Sequence, residues 1–344
     1  MSRSLVRRLR WAAMALLAIG VLAYVRRIPW VPALATMRHA SPALLALALC
    51  FHFLALSGKA GIWWTFLKPI GGPRLTTVAR GTLMGATLNS LFVGSSGEAG
   101  RVVLMSRLTG LPSASILATV VLERAVDLCG FLTMLAWAAI LYPVPRAFAA
   151  IATGLVCVVG ALVLVYRYRS RAGVAAVRTE NASRSLLSRT KQYVQLVLHS
   201  ARGIATPRNL SITIGLTLVD WCSELVSYSL VARAAHFPIG VRGSLLVLLA
   251  VNVGFVVRVT PGNVGVFELV YASVAHSLGY PTDVAIGVAL LLHLIQDVPT
   301  AILGLSLGAR FFAFAGSGAG VPYPVITISS TAPPQPGPTR GVST

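Results

Sequence analysis

Residues 93-VGSSGEAGRVV-103 set a carboxylate and a guanidinium, Glu98 and Arg101, among glycines and small residues. The stretch before them, 81-GTLMGATLNSLFVG-94, is apolar enough to lie in lipid. How this segment is placed decides the fold. Read as a full crossing, 76–96 delivers Arg101, Arg107 and all that follows to the far side of a membrane. Read as a dip that 97–110 brings back, it returns them to the side of entry.

The rest of the chain chooses between these readings. Of its 344 residues 56% are hydrophobic and 11% charged, with mean hydropathy +0.78. A soluble domain carries about 25% charged residues, so the composition is that of an integral membrane protein. Apolar runs near crossing length (roughly 17–25 residues) lie at 11–25, 43–66, 76–96, 113–141, 146–166, 209–235, 243–260, 263–279 and 284–309. They leave no stretch where a soluble catalytic domain folds. The net charge is +20, and nine basic residues face a single acid, Glu180, between Arg167 and Arg208. Cytoplasmic loops carry such an excess. With Arg3, Arg7, Arg8 and Arg10 holding the N-terminus inside, that loop reaches the cytoplasm only if 76–96 dips and returns.

Backbone that leaves the helix at membrane depth must be satisfied by protein or a water-filled cavity. The charges at the tip of the dip therefore face the interior. The fold expected is an all-α polytopic membrane protein of about seven transmembrane helices plus two re-entrant hairpins. Residues 1–310 form one membrane domain, which includes the cytoplasmic basic loop 167–208. Both termini are cytoplasmic. The segment 11–25 lacks a small-residue cleavage site and reads as a retained helix. The tail 315–344, rich in Pro, Gly, Ser and Thr, reads as disordered. The basic residues flank membrane segments, so they favour anionic headgroups over nucleic acid. Cys50, Cys129, Cys157 and Cys222 form no metal-like cluster and read as buried free thiols.

The second half holds a partner for the first dip. Residues 261-PGNVGVFE-268 are again glycine-rich, acid-bearing and set in apolar sequence. Then come 279-GYP-281 and a long apolar run with His293 and Asp297. In the first half Glu98 is followed by 110-GLP-112 and a long apolar run with Arg124 and Asp127. The offset is 169 or 170 residues throughout. By the charge rule the second dip enters from the opposite side, so the two units form an inverted repeat, an architecture that transporters use.

Most of the nine acids lie in or beside apolar sequence. A charge at the bilayer centre costs about 2.5–3.5 kcal/mol on insertion scales, so these acids must face the interior, pair, or bind something. Arg124 and Asp127 are three apart on a helix, Glu123 and Asp127 four, and so are Asp220 and Glu224. Arg101 and Arg258 supply buried positive charge. Interhelical ion pairs that only hold the bundle together are the plain alternative for any single residue. His52 and His276 read as core residues. Asp283 reads as a first-turn acid. No metal-ligand spacing, catalytic triad or phosphate loop is present in the sequence, and no cofactor or metal is expected.

The stretch 89-NSLFVGSSGEAGRVVLMSRLTGLPSASILATVVLERAVDLCGF-131 resembles the first signature of the lysylphosphatidylglycerol synthase transmembrane-region family of flippase-like membrane proteins. The signature falls on Gly97, Glu98, Arg101, Glu123, Arg124 and Asp127. The second is similar to 261-PGNVGVFELVYASVAHSLGYP-281, through Pro261, Gly262, Gly265 and Glu268. Two departures stand out. The proline usual at the first turn is absent, and the basic residue usual in the last long helix, an arginine in the family, is His293 here.

The resemblance implies an inner-membrane protein related to the lipid-translocating half of aminoacyl-lipid synthases, without the soluble synthase half, and hence not an enzyme. It implies a lipid transporter or flippase whose polar cavity is lined by Glu98, Arg101, Glu123, Arg124, Asp127, Arg258, Gly262, Gly265, Glu268, His293 and Asp297. The partner expected is a membrane lipid with an anionic or lipid-linked headgroup, with a lipid-modifying enzyme as a further candidate. The alternatives are a membrane-embedded transferase acting on a lipid-linked substrate, and a non-catalytic partner of such an enzyme.

Overall fold

The computed structural model describes residues 30–92, 96–142, 204–255 and 260–316. The segments 11–25 and 146–166, most of the basic loop, Cys157, Arg258 and nearly all of the tail lie outside the described residues. Within them the chain is helical, and no strand occurs. The helices are α1 (Trp30–Arg38), α2 (Pro42–Leu67), α3 (Leu75–Leu91), α4 (Ser96–Thr109), α5 (Ser113–Leu141), α6 (Pro207–Ala234), α7 (Gly240–Gly254), α8 (Val266–Ser277) and α9 (Thr282–Gly316). Short 3-10 turns follow α2 and precede α8.

Among the described residues four segments are long and apolar enough to cross a membrane: Pro42–Ile70, Ser113–Leu141, Pro207–Ala234 and Thr282–Leu307. Large apolar side chains point outward from them, among them Leu294, Val298, Ile302 and Leu305 at helical spacing on α9. A soluble protein does not expose such a stripe, so this is a lipid face. Cys50 and Cys222 lie on outward faces too, a correction to the expectation of buried thiols. Lipid makes an outward thiol as cheap as an inward one. His276 is likewise exposed, near the end of α8, and is not a core residue.

The two expected dips correspond to the helix pairs α3–α4 and α7–α8. Each pair leads through a Gly-x-Pro turn into a long helix. Gly110 and Gly279 both take the left-handed conformation that ends the hairpin (φ 69° and 87°). The starts of α2, α3, α4 and α5 fall roughly 165–170 residues before those of α6, α7, α8 and α9. The correspondence thus extends from motifs to whole helices.

Packing follows the same rule. The most extensive pair is α2 with α6, the two counterparts of each other. Every other substantial pairing among these eight helices has an equivalent when the halves are exchanged: α3 on α9 and α7 on α5, α2 on α3 and α6 on α7, α4 on α5 and α8 on α9. One apolar core lies within the first half, and a larger one, centred on the second half, also takes in Ala48, Met134 and Ala138 of the first. The first gathers Trp63, Val78, Met105 and Ile116, and the larger one gathers Leu225, Tyr228, Leu248, Phe267, Tyr271 and Leu292. Small residues let the central helices meet. Gly58 lies against the backbone of Leu216 and Asp220, and Gly130 against Thr217 and Trp221. Close backbone approach is how helices associate where lipid removes the usual hydrophobic drive.

Candidate functional site

A cavity of about 700 Å3 lies between the halves, within the range of roughly 300–1,000 Å3 for small-ligand sites. Its wall takes residues from α2 through α9 and from the turn at Pro261–Asn263. Most of the described charged residues singled out in the sequence converge here, and around Arg124 and His293 they form two similar groups.

In the first half Arg124 reaches from α5 to Glu98 on α4 (3.8 Å) and to Asp127 one turn on (3.2 Å), and also touches Glu123 (3.3 Å). In the second half His293 of α9 lies between Glu268 of α8 (Nδ1 to Oε1, 2.8 Å) and Asp297 one turn on (Nε2 to Oδ2, 2.7 Å). Each group is a base held between a hairpin glutamate and an aspartate on its own helix. His293 sits in the register of Glu123, one position off Arg124, yet it makes the contacts of Arg124. An imidazolium donates from both nitrogens, so it spans two carboxylates as a guanidinium does.

The groups differ in access. The Arg124 side chain is 48% exposed and that of His293 11%. Glu268 is fully buried behind His293, and one of its oxygens accepts from the Gly265 N–H at the start of α8 (2.6 Å). That turn needs positive φ at Gly262 (60°) and Gly265 (94°), which glycine adopts freely. Gly262 itself faces the cavity. Glu268 therefore orients His293 and does not line the open space.

Arg101 is buried, as expected, at the edge of the cavity. It is 5% exposed, pairs with Glu123 at 2.9 Å, and lies over the Trp63 ring at 4.7 Å. The Trp63 indole in turn donates to the Thr119 hydroxyl at 2.9 Å. Only an edge of Arg101 reaches the cavity, so it braces α4 against α2 and α5.

A second layer of charge runs along α2 and α6. Lys59 faces Asp220 (3.8 Å), and His52 faces Glu224 (3.3 Å). Glu224 also accepts from the Gln296 amide (3.0 Å), and His52 touches the Thr300 hydroxyl (3.2 Å). His52 is buried, as expected, but in the cavity wall. Lys59 was not among the residues picked from the sequence. The signal was there: it is the single Lys, Arg, Asp or Glu in the 26-residue helix α2, and an isolated charge in such a helix marks function by default. Asn89, Ser90, Asn252 and Thr260 add to the polar lining. As small uncharged residues they carried no sequence signal.

The balance of charge is acidic. Glu98, Glu123, Asp127, Asp220, Glu224 and Asp297 line the cavity against Lys59, Arg101 and Arg124 and the two histidines. The chain as a whole is at +20. No group of three or more His, Cys, Asp or Glu suited to a metal ion occurs among the described residues.

A family model, described as the lysylphosphatidylglycerol synthase TM region, matches residues 10–304. No curated protein matches the chain.

Proposed function

The chain belongs to the lysylphosphatidylglycerol synthase transmembrane-region family, and on that premise we propose that it moves a phospholipid or lipid-linked headgroup between the leaflets of a bacterial-type inner membrane. The observation that carries the reading is the cavity. A charged space of about 700 Å3 lies between two similar halves, and the helices around it turn apolar faces outward. A headgroup enters the polar space while its acyl chains stay in lipid.

The hairpins α3–α4 and α7–α8 act as re-entrant elements from opposite sides, with both termini cytoplasmic. In that arrangement the glycine-rich tips meet near the midplane, where transporters built of inverted repeats bind substrate. Arg124 is the base most open to the cavity and takes the phosphate. The acid excess favours a headgroup that bears an ammonium beside that phosphate. The protein acts as a carrier and not as an enzyme, and any lipid-modifying enzyme is a separate partner.

The test is leaflet exchange of fluorescent lipids in sealed proteoliposomes, wild type beside Arg124→Ala and Glu98→Gln. Exchange that falls at least tenfold in both variants, from protein still inserted and folded, is the expected result (a factor of ten is about 1.4 kcal/mol). Wild-type exchange by both overturns the assignment. Absence of exchange by wild type, with product formed from a lipid-linked substrate, moves the reading to a membrane-embedded transferase.

A further inference from the structure

The halves share a plan, but they are not in the same state. At the offset of 170 residues that relates Glu98 to Glu268 and Asp127 to Asp297, Ser90 corresponds to Thr260. Both are hydroxyl residues at the mouth of a glycine-rich turn, and both line the cavity. Their bonds differ. Ser90 donates across the halves to Asp297 (2.9 Å). Thr260 donates within its own turn, to the Val264 carbonyl (2.8 Å). Asp127, the counterpart of Asp297, is held by Arg124 and by the Trp221 indole (3.2 Å).

The packing around these residues is unequal in the same sense. Helix α3 lies closely on α9. The Thr87 hydroxyl touches the Thr300 carbonyl (3.2 Å), Gly304 leaves no room for a side chain beside Thr87, and a Cβ at Gly262 would come within 3.0 Å of the Ser90 carbonyl. The equivalent contact of α7 on α5 is looser. The triad under the tight contact has its base nearly covered, and the triad in the other half has its base half-exposed.

Two halves built on one plan can in principle exchange conformations, each adopting the arrangement the other has now. We propose that the two triads open in turn through a swap of hydroxyl partners: Ser90 latches Asp297 and closes the His293 triad in the present state, and Thr260 latches Asp127 and closes the Arg124 triad in the alternate one. The proposal rests on the transport reading, and it assigns each half-site the same cargo, a headgroup with an ammonium for the carboxylates and a phosphate for the base. The headgroup binds the open triad and passes to the other as the latches exchange. Ser90 and Thr260 are positioning residues; they set which triad is open and need not touch the headgroup. A ligand shifts such an equilibrium only through differential contact with the two states, and the exchanged exposure of the triads supplies that difference.

The experiment reads the two states directly. Cys50, Cys129, Cys157 and Cys222 are replaced by alanine, and Ala86→Cys on the cavity wall serves as reporter. A membrane-impermeant maleimide is applied from either side of sealed proteoliposomes, and the ratio of labelling from the two sides is measured. Ser90→Ala removes the latch of the present state, and Thr260→Ala removes that of the alternate state. The two variants are expected to move the ratio in opposite directions, each by about tenfold, the weight of one hydrogen bond to a charged group. The double variant returns it toward wild type. A ratio that both variants leave unchanged, or move the same way, overturns the proposal. Lipid exchange on the same vesicles separates the two claims. Opposite shifts without exchange by any protein sink the transport reading and leave the latch swap. Exchange with shifts in one direction does the reverse.

Discussion

Arg101 and Arg124 show how differently two arginines of one motif are used. Arg101 is packed under Trp63 with Glu123 at 2.9 Å and almost no exposure. Removing one partner of a buried pair strands the other charge and costs about 3–5 kcal/mol. Arg101→Ala is therefore expected to lower the unfolding midpoint in detergent sharply. Arg124→Ala leaves its carboxylates at the open cavity and is expected to shift that midpoint little while it abolishes exchange. An equal loss of stability in both would contradict the division of labour. His293 sits between these cases. With Glu268 fully buried behind it, His293→Leu is expected to fail in folding, whereas His293→Arg, which copies the base of the other half, is expected to insert and remain folded. Yield and monodispersity in detergent distinguish the two.

Glycines govern how closely the helices meet, and their neighbours differ enough to be tested in pairs. A Cβ at Gly130 would come within 2.5 Å of both Thr217 and Trp221, whereas one at Gly215 on α6 meets nothing within 4 Å. Gly130→Ala is thus expected to cost about 1–3 kcal/mol by overpacking, and to displace the Trp221 indole that donates to Asp127. Gly215→Ala is expected to be neutral or stabilising by up to about 1 kcal/mol through helix propensity. Thermal unfolding of both variants, with lipid exchange of the first, checks the pair.

The element scale is also where the sequence was most legible. The long apolar runs 43–66, 113–141 and 209–235 became Pro42–Leu67, Ser113–Leu141 and Pro207–Ala234 within a few residues, because length and hydropathy alone set them. The breaks at 91–96 and 254–266 followed from glycine-rich turns. What stayed hidden was the azimuth of each helix. Helix α2 is apolar nearly all round, so no periodicity says which face meets α6, and the facing of Lys59 to Asp220 and of His52 to Glu224 had to come from the packing. The cover of Arg101 stayed hidden for the same reason: Trp63 lies on α2, far from α4 in sequence.

At the scale of the molecule the sign of the charge differs between the whole chain and the cavity lining. The chain is at +20, and the nine basic residues between Arg167 and Arg208 account for much of that excess. Six acids line the cavity against three fixed bases. An interior so arranged was not legible from net charge, which points to anionic partners; it required knowing which residues turn inward. Charge lining a low-dielectric cleft raises the local concentration of the opposite sign. Lipids whose headgroups carry an ammonium are therefore expected to exchange faster than purely anionic lipids of the same acyl composition. The preference should come from the open triad more than the closed one. Asp127→Asn is expected to lower the ratio of cationic to anionic exchange severalfold, and Asp283→Asn, a first-turn acid of α9 away from the cavity, to leave it unchanged. A ratio that favours anionic lipids in the wild type would mean that Lys59 and Arg124 govern entry despite the surrounding carboxylates, and that the acids serve to hold those bases in place.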